Sequence, residues 1–108
     1  MPLNETEHFV LLALLRMSDG AYAVPIRQEI EDRGGRGLSI TAVYAALDRL
    51  ERQGYVESWL SDPLPERGGR ARKHYRASPE GIVALQRERR ALERMWEGLE
   101  TVAAAKLP

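Results

Sequence analysis

Residues 39–54 read SITAVYAALDRLERQG, opening on Ser39 and closing on Gly54, and their spacing decides the fold. Ile40, Val43, Leu47 and Leu50 recur at intervals of three and four, the period of a helix with one oily face. Ser39 stands where an N-cap hydroxyl satisfies the first free N–H groups, and Gly54 suits a left-handed C-cap. The spacing predicts a capped helix. Its remaining face carries Ser39, Thr41, Ala42, Tyr44, Ala45 and Asp48, mostly small side chains with hydroxyls among them.

Working outward, Asn4 followed three residues later by Glu7 reads as a capping box, opening a helix that runs to about Met17. Its run from Phe9 to Leu15 is apolar on every side, so one face can meet its own domain while the surplus, Leu11 and Leu15 included, looks for a second subunit. Pro25 fits the first turn of a second helix through Ile26, Ile30 and Arg33, ended by Gly34 and Gly35. Beyond the third helix, Tyr55 to Ser61 turns β-prone, with Val56 and Leu60 on one face and Tyr55 and Trp59 on the other. Trp59 is expected to pack against the helices. The prolines 63 and 65 and the pair Gly68-Gly69 make a loop, and Arg72 to Ala77 alternates again, so a hairpin is expected. Ser78 and Pro79 then open a last helix, in which Ile82, Leu85, Arg89, Leu92, Trp96, Leu99 and Ala103 repeat near every 3.5 residues. Gly98 is expected to lie inside that helix at a cost of about 1 kcal/mol.

Composition narrows the chemistry. The 108 residues suffice for one compact core, with 16 basic and 16 acidic side chains in balance. The absence of cysteine excludes disulfides, thiolate nucleophiles and cysteine-based zinc sites, and His8 and His74 alone make a poor metal centre. No cofactor is expected. Ser39, His74 and Asp48 have the residue types of a catalytic triad, but cap and hairpin positions explain each separately, so no enzyme is expected. The longest apolar run is far short of a bilayer span and no leader precedes it, so a cytoplasmic, membrane-free protein is expected.

Charge is neutral in sum but not in place. Between residues 66 and 76, Glu66 is outnumbered by Arg67, Arg70, Arg72, Lys73 and Arg76. Helix, helix, capped helix and a hairpin with a basic tip is the order of a winged helix-turn-helix: a mainly α fold of three helices plus a two-stranded β-hairpin wing, here with a long C-terminal dimerisation helix. Residues 1–78 would form the DNA-binding unit and residues 79–108 the dimerisation helix. A major groove about 12 Å wide admits one helix, and small side chains let it approach base edges closely. Basic groups on the wing would reach phosphates or the minor groove. A dimer neutralising about eight phosphates would lose affinity several hundred-fold or more over a fourfold rise in salt.

In combination, Leu11 to Leu15, Tyr22, Leu38-Ser39 through Val43-Tyr44, Leu47, Arg49-Leu50-Glu51, Gly54, Arg67-Gly68-Gly69-Arg70 and Tyr75-Arg76 resemble the PadR family of transcriptional regulators over nearly the whole chain. That resemblance implies a homodimeric repressor on a pseudo-palindromic operator, with its last helix packed against the partner's first. It implies phosphate contacts from Tyr44 and Tyr22, flanked by Arg70, Arg72 and Lys73. Asp48 stands where many members carry a basic residue; it would either read a cytosine amino group or pair with Arg52. Leu85, Leu92, Trp96 and Leu99 join Leu11 and Leu15 as dimerisation residues. Trp96 is first a packing residue; its second reading is a slot near the twofold axis that stacks a small aromatic effector, as in family members that respond to such molecules. The rival functional reading is a winged helix that meets an acidic protein partner through its basic hairpin.

Overall fold

The computed structural model describes residues 2–61 and 72–107. Helix α1 spans Glu5–Arg16, α2 Ala23–Gly34 and α3 Ile40–Arg52; strands β1 (Val56–Leu60) and β2 (Lys73–Ala77) follow, then α4 (Pro79–Trp96) and α5 (Glu100–Ala105). The local signals act as read. The Asn4 side chain accepts from the Glu7 N–H while the Glu7 carboxylate accepts from the Asn4 N–H, closing the capping box of α1. The Ser39 hydroxyl accepts from the Ala42 N–H at 3.0 Å, and Ser78 caps α4 through Gly81, with Pro79 in the first turn.

The three first helices bury one core, made of Val10, Leu11 and Leu14 from α1, Ile26 and Ile30 from α2, and Val43, Ala46, Leu47 and Leu50 from α3. Leu50 leads directly into the sheet, because the Tyr55 N–H donates to its carbonyl. The strands pair antiparallel, with Ser58 opposite Tyr75 and Trp59 opposite His74. Ala21, in the turn before α2, bridges to Tyr75 on the other edge of β2, so the wing is stitched to the helices by both N–H···O bonds of that pair. Val56 and Tyr75 point into the core. Leu60, the second residue further along that face, is 69% exposed at the end of β1.

The last helix differs from its sequence reading. Instead of continuing to Ala103, α4 stops at Trp96. Glu97 (φ −52°, ψ 122°) and Gly98 (φ 80°) form the centre of a turn closed by the Leu99 N–H on the Trp96 carbonyl at 2.8 Å. This is a type II turn, whose third position needs the left-handed backbone that glycine adopts without strain. The 3.5-residue repeat runs through both sides of the break and so hides it.

The start of α4 belongs to the core. A Cβ at position 81 would run into the Tyr55 carbonyl, and Gly81 lets the helix lie on that backbone. Ala84 and Leu85 are buried behind it. Leu11 is fully enclosed and Leu85 nearly so, which corrects their expected place on a dimer surface: both fill the protomer's own interior. Leu15, Leu92, Trp96 and Leu99 do reach the surface. Among the described residues, no helix is long and apolar enough to cross a membrane.

Candidate nucleic-acid interface

Helix α3 is anchored by its apolar stripe, and what the anchor leaves outside is the candidate site. Thr41, Tyr44 and Asp48 are exposed, Ser39 beside them is exposed, and Ala42 and Ala45 are half-buried. Tyr44 is 47% exposed, so it is a surface side chain and not the edge of the core. The i,i+4 pairing of Asp48 with Arg52 is not formed.

Three separate elements meet beside Tyr44. Tyr22 at the N-cap of α2, Val24 in its first turn, Tyr44 of α3, and Arg72 and Lys73 of the wing line one open cleft of about 390 Å³. The Arg72 guanidinium lies 4.3 Å from the centre of the Tyr22 ring, within cation–π range. Four residues expected to touch DNA thus share one rim. Ser39, Thr41 and Ala42 stand at the N-terminal end of α3; Arg67 and Arg70 lie outside the described residues.

Behind the cleft the aromatic contacts continue along the outer face of the sheet. The His74 ring meets Tyr22 edge-on with centroids 5.6 Å apart and stacks on Trp59 at 5.7 Å. His74 Nδ1 is 3.2 Å from the Arg72 carbonyl oxygen, and Arg76, paired with Glu57, sits over the far side of Trp59. Trp59 therefore packs on His74, with its ring edge against the turn at Gly20, and not on the helices as expected. On the outward face of a two-stranded wing Trp59 is covered by that turn, its cross-strand neighbour His74 and the diagonal Arg76.

Two carboxylates fix α3 in place; the sequence shows Glu7 only as a capping-box partner and gives no sign of its bond to Arg49 or of the contacts of Glu51. Glu7, almost fully buried, accepts from Arg49 Nε at 2.9 Å with one oxygen while the other closes the capping box, so it ties the start of α1 to the last turn of α3. Glu51 accepts from Lys73 Nζ at 3.0 Å and from the Ser58 hydroxyl, which joins α3 to both strands. The Ser58 hydrogen bond first, and then Lys73, hold the Glu51 carboxyl below the usual carboxylate range. The same bond to Glu51 raises the Lys73 ammonium above its ordinary value, while burial pushes the Tyr75 phenol up. The partners of Glu51 are seven and 22 residues away in sequence, so no local pattern reveals them.

Comparison with known proteins fits this geometry. The model of the transcriptional regulator PadR-like family matches residues 11–87, which runs from α1 through the wing into α4. The chain belongs to the PadR-like family of transcriptional regulators. The transcriptional regulator Rv3488 of Mycobacterium tuberculosis is 40% identical over 72 residues, covering 65% of this chain and 61% of that protein, so the match spans about three-fifths of the relative's length. A PadR family regulator from Clostridium difficile superposes with a TM-score of 0.74 at 19% identity, over 93% of this chain and 99% of that one. A transcriptional regulator from Clostridium thermocellum gives 0.68 at 23% identity, over 95% and 90%. At such identities these structures establish the shared winged-helix fold.

Proposed function

We propose that this PadR-like regulator acts in the cytoplasm as a homodimeric repressor, each protomer laying the free face of α3 into a major groove of a pseudo-palindromic operator while its wing follows the adjacent backbone. The observation that carries the reading is the convergence of Tyr22, Tyr44, Arg72 and Lys73 on one cleft beside the exposed face of α3. Phosphate recognition needs hydroxyl and cationic donors aimed at one point from rigid elements, and the cleft has two phenols and two cations on three elements. The small residues Ser39, Thr41 and Ala42 leave the helix end open to base edges and phosphates.

In this reading residues 1–78 carry the DNA-contacting unit and residues 79–108 the dimerisation helix, with the first turns of α4 shared between them. Leu15, Leu92, Trp96 and Leu99 supply the apolar contact. The broad groove between α1 and α4, lined by Leu12, Leu15, Leu92 and Trp96, is where a flat aromatic effector would stack on Trp96 and release the operator. Saturable quenching of tryptophan fluorescence, abolished by Trp96→Ala, tests that part.

The decisive experiment is a gel shift with the duplex upstream of the protein's own coding region against heterologous competitor. Retention of the upstream complex under excess competitor supports the proposal. Equal loss to both duplexes, or no complex at all, contradicts it and favours an acidic protein as the partner of the basic hairpin.

A further inference from the structure

Helix α3 carries two carboxylates one turn apart on the side where a polyanion is proposed to approach. Asp48 is exposed and forms no ion pair among the described residues. Glu51 is half-buried, and its two oxygens are both occupied, one by Lys73 Nζ of β2 and the other by the Ser58 hydroxyl of β1. Among the described residues these are the only side-chain hydrogen bonds between α3 and the hairpin. By simple Coulomb reasoning, both carboxylates should repel phosphate and both should be better replaced by amides. Their surroundings separate them.

We propose that Glu51 is a positioning residue for DNA recognition: it clasps both strands of the wing to α3 and so holds Lys73 at the cleft it shares with Tyr22 and Tyr44. This rests on the DNA-binding reading above, and it assigns the motif Arg49-Leu50-Glu51 two tasks, with Arg49 fixed to α1 through Glu7 and Glu51 fixing the wing. One turn of α3 thereby sets the recognition helix against the first helix on one side and against the hairpin on the other. A carboxylate is suited to the task because charge-assisted bonds to a hydroxyl and an ammonium are stronger than their neutral counterparts. Lys73 is held by its ammonium alone, and as a point charge on a flexible stem it loses its place once the carboxylate is gone.

The test compares Glu51→Gln with Asp48→Asn, two substitutions that remove one negative charge each from the same helix. Binding to a mixed-sequence duplex in low salt is measured by fluorescence anisotropy, where base readout does not enter. Asp48→Asn should tighten binding about twofold to fivefold, whereas Glu51→Gln should weaken it by about threefold to tenfold. Glu51→Ala, which also loses the Ser58 bond, should weaken it further. In the free protein, hydrogen-exchange protection of residues 56–60 and 73–77 should fall about fivefold in Glu51→Gln and stay unchanged in Asp48→Asn. In the wild type that protection should also drop on acidification through the depressed Glu51 range, a step absent from Glu51→Gln.

Tightened binding in Glu51→Gln overturns the proposal, since Glu51 would then be a repulsive bystander like Asp48. Unchanged strand protection overturns it as well. A wild type that binds no duplex, with strand exchange still accelerated in Glu51→Gln, sinks the DNA reading while leaving the clasp in place.

Discussion

Around the cleft at Tyr22 and Tyr44, charged and aromatic side chains are tied to one another: Arg72 to Tyr22, Lys73 to Glu51, His74 to Tyr22 and Trp59. Along the outer half of α4 and on α5, a set of apolar side chains stands exposed among the described residues. Leu92 is 54% and Trp96 52% exposed, with Met95, Leu99 and Val102 beside them. The first region completes its own contacts and presents a finished polar rim. The second leaves a strip of oily surface on a helix whose inner turns are already docked, uncovered by any of the described residues. The two ends thus differ in kind, linked polar and aromatic groups at one and bare apolar side chains at the other.

If the oily strip is the subunit contact, breaking it should have the largest effect. Leu92→Asp places a charge in its centre and should give monomers or insoluble protein, read by sedimentation; a well-folded wild-type monomer at micromolar concentration would remove the contrast altogether. Within the finished end, Leu47→Ala deletes a fully buried side chain of α3 and should cost about 2–5 kcal/mol in denaturant unfolding. Arg72→Ala leaves the fold intact but removes the cation over Tyr22, and should weaken duplex binding about tenfold while lowering the salt slope by about one per protomer. Gly98→Ala sharpens the other side of the comparison. It strains the left-handed turn by about 1 kcal/mol and should favour fusing α4 and α5, seen as increased helicity by circular dichroism.

The smallest effect is in pH. Glu51 is depressed in the folded state, so its contribution is complete above the ordinary carboxylate range and is lost as pH falls through its own lower value. Lys73 is raised, so its contribution is complete below the ordinary lysine range and is lost as pH rises through its higher value. Both groups are substantially exposed, so thermal unfolding should shift by only a degree or two at each extreme.

Legibility followed sequence distance. Asn4 with Glu7, Ser39 with Ala42 and Ser78 with Gly81 are caps closed within three residues, and the sequence shows them directly. The stripe of α3 is legible for the same reason. Gly98 was hidden because a strict 3.5-residue repeat of apolar side chains continues across it, and periodicity outvotes a single glycine in such a reading. Leu11 and Leu85 were placed on the wrong side because a segment apolar all round does not say which face its own core takes. The bond of Glu7 to Arg49 and those of Glu51 to Ser58 and Lys73 left no trace in the sequence, since these partners come from other elements and such contacts have no period to find. Of the proposed contact residues, Tyr44 was legible from its place off the apolar stripe of α3, whereas Tyr22 could be named only through resemblance; the fold then puts both on one rim with Arg72 and Lys73.

The free face of α3 beside a cationic wing is the centre of the account, and its most direct test is the salt dependence of binding to the upstream duplex. If two protomers neutralise about eight phosphates, log K should fall against log salt with a slope near −7. A slope close to zero would mean that no phosphate is engaged, and the face assigned to DNA would have to serve something else.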